Sequence, residues 1–344
     1  MKPVLAFALV CTVSAQIRFS IEEPAGIERV NEPVLVKAAG REQVMYVNLK
    51  PRERRIVAWM APKTGPALTE TSRAGARIDT GIFLADLTAR TVNGKQEDSG
   101  VLRALTFKQA GVTLLRSENR MHWAPSFQRA GARGYTSWAM WDPVQTVERA
   151  AMPGWVRYAK SGYHALYPEI HLDTEYRFFS HVPYFLFRSR VTIERAMEMF
   201  WLRNQEMTMD SFFTHCAWPE ADGTPRIATF EERKPLLEES PIPADTPWIA
   251  FLHPAKGYGF GAVILGYEAA KTANAMTSIN DGANDGKYWD RRIINQINVP
   301  MNGGEVFTEE TAYVLFRANA QEPLAEFLAW EKKLRNPVRA SPVR

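Results

Sequence analysis

Apolar and polar positions alternate most regularly between Ile170 and Ile193. In the first half, Ile170, Leu172, Thr174, Tyr176 and Phe178 fall on one side, and His171, Asp173, Glu175 and Arg177 on the other. Side chains of a strand alternate with period two, so this segment is predicted as a strand with one greasy and one polar face. Val182-Pro183 interrupts the pattern. Tyr184 to Ile193 then resumes it, with Phe185, Phe187, Ser189, Val191 and Ile193 opposite Leu186, Arg188, Arg190 and Thr192. The two segments are expected to pair antiparallel.

Shorter β-rich runs surround them, separated by turn residues. Val34 to Lys37, Val44 to Leu49 and Arg55 to Trp59 lie between the breaks Glu32-Pro33, Lys50-Pro51 and Ala61-Pro62. Leu87 to Val92 followed by Asn93-Gly94 predicts a hairpin. Val101 to Phe107, Val112 to Arg116, Met197 to Leu202, Trp248 to Leu252, Gly259 to Leu265, Ile293 to Val299 and Thr311 to Arg317 complete the strand list. Helical spacing is clear only in Pro323 to Lys333, where Leu324, Phe327, Leu328 and Glu331 recur at i, i+3, i+4 and i+7. Prolines 235, 241, 243 and 247 mark a long excursion or lid. The expected fold is all-β: a large antiparallel β-sandwich with a short C-terminal helix. Its parts are a leader at 1–15, a small β segment at 16–62, the main β domain at 63–335 and a disordered tail at 336–344.

The leader follows from Lys2, the apolar run Val4 to Val13 and the small-residue site Val13-Ser14-Ala15, the layout of a secretory signal peptide. The run is too short to span a bilayer. A secreted or periplasmic protein is expected, cut near Ala15 and without a membrane span. Cleavage leaves Cys216 as the single cysteine, so the core rather than a disulfide must hold the fold. The 42 basic and 38 acidic residues give a net charge of +4 with no basic run, which argues against nucleic acid.

Candidate chemistry collects in two aromatic-rich stretches. Arg116 to Trp155 holds His122, Arg133, Tyr135, Trp138 and Trp141, suited to a cleft where indoles stack on sugar rings and guanidiniums hold hydroxyls or a carboxylate. The first half of Asn280 to Arg292 is expected to be a loop, from the turn formers Asp281-Gly282 and Asp285-Gly286, with Tyr288, Trp289, Arg291 and Arg292 as a recognition rim at its end. Its Asp-Gly pairs do not make an EF-hand, because Ala283 and Arg292 occupy ligand positions; Ca2+ in another geometry is the one cofactor left open, and none is otherwise expected. His171 lies on a polar strand face, and His215 in a polar run expected to open into a cavity. No HExxH, cysteine cluster or Gly-Xaa-Ser-Xaa-Gly elbow is present, which disfavours a zinc enzyme or a serine hydrolase of that type.

The stretch Tyr163 to Gly223 resembles the central sandwich of galactose-mutarotase-like carbohydrate enzymes and the polysaccharide lyases that share its supersandwich. The resemblance is carried by Glu175-Tyr176-Arg177-Phe178-Phe179, Val182-Pro183-Tyr184-Phe185 and Arg203-Asn204-Gln205-Glu206. It implies a β-supersandwich acting on a polysaccharide or oligosaccharide, an anionic one if the activity is β-elimination at a uronate. That reaction needs a group to neutralise the carboxylate, a base for the C5 proton and an acid for the leaving oxygen. Arg133, Arg188 or Arg203 is the candidate for the first role and His171 or His215 for the second. Tyr135, assisted by His122, is the candidate acid. Two alternatives stay open: a glycoside hydrolase using carboxylates such as Glu175, Glu206 or Asp210, and a glycan-binding scaffold without catalysis.

Overall fold

The computed structural model describes residues 17–38, 40–87, 90–92, 95–116, 121–122, 124–137, 145–164, 166–281 and 286–343. The leader, the Asn93-Gly94 turn, Trp138 and Trp141 therefore lie outside the described residues. The chain divides into two compact units, one formed by the segment up to Pro62 with 337–344, the other by Lys63–Asn336.

In the small unit, Arg18–Glu22 is flanked by Arg54–Ala58 and Arg339–Pro342 in a three-stranded antiparallel sheet. The hairpin Arg29–Ala38 and Arg41–Leu49 supplies Val34, Val36, Met45 and Val47, which pack with Phe19, Ile21 and Val338. The tail expected to be disordered is thus a strand. Its backbone pairs Phe19 to Glu22 with 339–342, so its Pro and Arg content is accommodated at a sheet edge. Glu23 anchors the loop that follows the first strand. Its carboxylate accepts from the amides of Gly26 (2.6 Å), Ile27 (3.0 Å) and Arg52 (3.1 Å) and from Arg29 (3.0 Å). These donors hold its pKa down at about 2, against the effect of burial.

The large unit is built on a nine-stranded sheet. Its order is Thr146–Met152, Trp155–His164, Tyr167–Phe179, Tyr184–Ile193, Val306–Phe316, Tyr258–Ala269, Trp248–His253, His215–Pro219 and Pro225–Thr229. All neighbours are antiparallel. The alternation read from the sequence sets its inner face: Ile170, Leu172, Tyr176, Phe178, Phe185, Phe187 and Val191 are all buried. Two five-stranded sheets contribute to the same core. One runs Val112–Leu115, Ala104–Phe107, Phe83–Asp86, Ala76–Asp79, Ala67–Glu70, and its Phe83 ring lies 6.1 Å from Phe185. The other runs Thr136–Ser137, Ser126–Arg129, Met197–Met209, Lys287–Met301, Met276–Asp281, and its Trp289 ring lies 6.4 Å from Tyr313.

The C-terminal helix spans Ala325–Arg335 and buries Phe327 against Trp248 and Phe316. The glycines of Gly257-Tyr258-Gly259-Phe260-Gly261 find their reason here. A Cβ at Gly259 would collide with the Phe316 ring and one at Gly261 with the Phe327 ring. The proline-rich stretch holds a second short helix, Arg233–Glu239. No described helix is long and apolar enough to cross a membrane.

Candidate functional site

Residues 282–285, the middle of the expected loop and the place where Ca2+ would fall, lie outside the described residues; on either side of them 276–281 and 287–292 pair as strands, so the expected rim at the loop end is a strand. Strand alternation then divides its side chains. Trp289 and Arg291 turn inward, 2% and 5% exposed, so neither belongs to a recognition rim. Arg291 lies 4.5 Å from the Tyr267 ring, and burial lowers its pKa. Tyr288, Asp290 and Arg292 take the opposite face, where Asp290 is fully buried and Tyr288 and Arg292 are half-buried.

Across the ladder, Glu206 stands opposite Asp290, Thr208 opposite Tyr288 and Arg203 opposite Arg292. Ser278 and Asn280 flank Asp290 and Tyr288 from the other side. Arg203 and Glu206 are three residues apart, a spacing that puts side chains on opposite faces of a regular strand. Register shifts around Leu202, Arg203 and Gln205 remove that conflict. Gln205 turns inward to Thr311, while Arg203 and Glu206 share the outer face.

The result is a charged cluster with two carboxylates and two guanidiniums. Arg203 donates to Glu206 Oε2 at 2.6 Å, and its Nε lies 3.0 Å from Asp290 Oδ2 as an ion pair. Arg292 meets the same Asp290 oxygen through Nη2 (2.9 Å) and Nε (3.0 Å), and Ser278 donates to the other. Thr208 donates to Glu206 Oε1 at 3.3 Å. Burial pushes the pKa of Glu206 up to about 7; the negative charge of Asp290 adds to this and Arg203 opposes it. Glu206 therefore changes charge near neutrality.

Aromatic rings line one side. The edge strand Thr136–Ser137 carries Tyr135 to Trp201, and their rings are nearly parallel at 14° with centroids 6.1 Å apart. The Arg203 guanidinium sits 5.7 Å from the Tyr135 ring and 5.1 Å from Trp201, and that of Arg292 is 4.6 Å from Trp201. Tyr135 keeps 40% of its surface exposed, so the plate has an open side. Burial and the nearby Glu206 carboxylate raise its pKa. Tyr288 is raised by burial and by Asp290.

Five residues singled out in the sequence, Tyr135, Arg203, Glu206, Tyr288 and Arg292, thus meet in one cluster. The others do not join it. His122 is fully buried on the inner face of the nine-stranded sheet, 2.6 Å from the Tyr176 hydroxyl and 4.2 Å from the Phe187 ring centroid. Burial, with the charge of Lys160, drives its pKa down to about 3, so it stays neutral. His171 lies on the outer face of that sheet, 3.4 Å from both Ser161 and Asp173. Ser161 gives its proton to Asp173 at 2.6 Å, so these three have the members of a triad but not its proton path. His215 bonds Thr214 at 2.8 Å. Arg133 is exposed in the turn before Tyr135, and Arg188 pairs with Glu310 at 2.8 Å on the outer face of the nine-stranded sheet. Of the alternative carboxylates, Glu175 is held by Arg157 and Arg177, and Asp210 lies 3.4 Å from Arg116. Trp201 and Asp290 are not singled out in the sequence. Alternation through 287–293 would have flagged Asp290 had that segment been read as a strand.

No protein family matches the chain by sequence, and no curated protein does. Solved structures do. An α-mannosidase from Enterococcus faecalis V583 is similar at TM-score 0.57 and 8% identity, over 96% of this chain and 46% of its own. A protein of glycosyl hydrolase family 38 from Enterococcus faecalis is similar at TM-score 0.56 and 9% identity, over 97% of this chain and 48% of its own. The chain spans about half the length of these two. A galactose mutarotase-like protein from Lactobacillus casei ATCC 334 is similar at TM-score 0.44 and 9% identity, over 73% of this chain and 100% of its own. The fold is the β-supersandwich seen in carbohydrate-active enzymes.

Proposed function

We propose that this chain is an exported carbohydrate-binding supersandwich that holds an acidic glycan on the outer face of its Met197–Met209 sheet. The observation that carries this is the placement of Arg203 beside the near-parallel rings of Tyr135 and Trp201. Aromatic plates take the C–H face of a sugar, and a guanidinium next to them takes a carboxylate or a hydroxyl pair. When Glu206 is protonated, Arg203 and Arg292 face the single carboxylate of Asp290, and a surplus positive charge is presented to the ligand. The glycosidase names of the structural neighbours support a carbohydrate ligand, and the leader pattern of residues 1–15 supports export. Titration with trigalacturonate, followed by tryptophan fluorescence, tests the assignment. Tyr135→Ala should weaken binding about tenfold; absence of binding, or binding indifferent to that change, would overturn it.

The same geometry favours a second reading, β-elimination at a uronate. Arg203 would neutralise the carboxylate and the Tyr135 phenol would protonate the leaving oxygen. Glu206 would take the C5 proton, since a base poised near 7 suits the task and the histidines lie elsewhere. An ultraviolet-absorbing unsaturated product from a polyuronate would establish it. Binding without such a product would leave the scaffold.

A further inference from the structure

The outer face of the nine-stranded sheet carries a trough that the Arg203 cluster does not share. It has a volume of about 660 Å3, within the range of small-ligand clefts. Its floor is a single cross-strand row: Glu148, Ala159, Glu175, Arg188, Glu310 and Gly266 stand opposite one another in turn. The small residues Ala159 and Gly266 flank the charged trio and leave open shoulders on either side of it. A Cβ at Gly266 would meet nothing closer than Glu310 Cβ at 3.9 Å, so that shoulder is empty.

The charges on this floor are of both signs and paired. Arg157 joins Glu148 (2.6 Å) and Glu175 (2.5 Å), Arg177 joins Glu175, and Arg188 joins Glu310 (2.8 Å). In these pairs three carboxylates meet three guanidiniums; Asp173, Glu268 and Arg190 also line the trough, so both signs of charge run along it. A guanidinium has five donors and a carboxylate about four acceptor sites, more than one ion pair uses. An anion entering the trough would meet the carboxylates, and a cation the guanidiniums, each losing hydration for a mixed return. A hydroxyl both donates and accepts, and vicinal hydroxyls match both kinds of fork.

We infer that this trough is a second glycan site, one that takes a neutral oligosaccharide edge-on through its hydroxyls. It differs in ligand charge from the aromatic site on the other sheet and does not depend on it.

Calorimetric titration of the full chain with mannotriose, maltotriose, trigalacturonate and triglucosamine tests the assignment. At least one neutral trisaccharide should bind, and Gly266→Trp, which fills the empty shoulder, should weaken it at least tenfold. Thr308→Trp fills the trough from another strand and should act alike, with both variants keeping the wild-type circular dichroism. Trigalacturonate binding should be unchanged by Gly266→Trp. If trigalacturonate fails to bind while the neutral probe binds and is blocked, the acidic site falls and the trough stands. If no neutral trisaccharide binds, if both filling variants leave it untouched, or if Gly266→Trp also abolishes binding of a charged probe, the trough assignment is wrong.

Discussion

Glu206 and Asp290 stand directly opposite each other on adjacent strands and hold the same guanidinium, that of Arg203. Burial raises the pKa of Glu206 to about 7, and the facing Asp290 charge adds to this. Acidic-glycan affinity should therefore fall as pH rises through about 7, because deprotonation of Glu206 cancels the surplus positive charge. Glu206→Gln should flatten the profile and keep the low-pH affinity. Binding titrations between pH 5.5 and 8.5 measure both.

Stability should carry the same signature. The folded pKa of Glu206, about 7, lies above its ordinary value of 4.5, so the folded state binds the proton more tightly. The stabilisation is fully present below pH 4.5 and lost as pH rises through about 7, to an extent of up to about 3 kcal/mol. Urea unfolding at pH 5 and pH 8 should show a drop in midpoint that Glu206→Gln reduces.

Glu23 has the opposite sign. Its folded pKa, held at about 2 by amides and Arg29, lies below 4.5, so its stabilisation is present above pH 4.5 and lost as pH falls through about 2. The amount is about 3 kcal/mol. Hydrogen exchange should show amides of 17–58 losing protection on acidification, and Glu23→Gln should bring that loss to neutral pH.

Gly261→Ala should lower the melting temperature, since the added methyl meets the Phe327 ring of the C-terminal helix. Overpacking of this kind costs about 1–3 kcal/mol. Adding Phe327→Leu should recover part of the loss, which thermal unfolding of the single and double variants would show.

Much of the frame could be read from residue order because the signal was local. Period-two alternation from Ile170 to Ile193 gave the central pair with its inner and outer faces, and the helix after Pro323 announced itself by spacing. The site was harder, since its members are neighbours only through pairing. Asp-Gly dipeptides mark a loop in the first half of Asn280 to Arg292 and make 288–292 look like its end, which hides that Trp289 and Arg291 alternate inward and Asp290 and Arg292 to the other face. His122 carried no mark of burial in its sequence surroundings; its place follows from contacts with Tyr176, Phe187 and Tyr313 on remote strands. The shared face of Arg203 and Glu206 depends on a register shift that no spacing rule reveals.

The strand Arg339–Pro342 closes a sheet begun by Arg18–Glu22. During synthesis the ribosome delivers these partners more than three hundred residues apart, with the entire larger unit between them. The smaller unit's sheet therefore lacks its last edge until residues 339–342 have been made, whatever the larger unit has done by then.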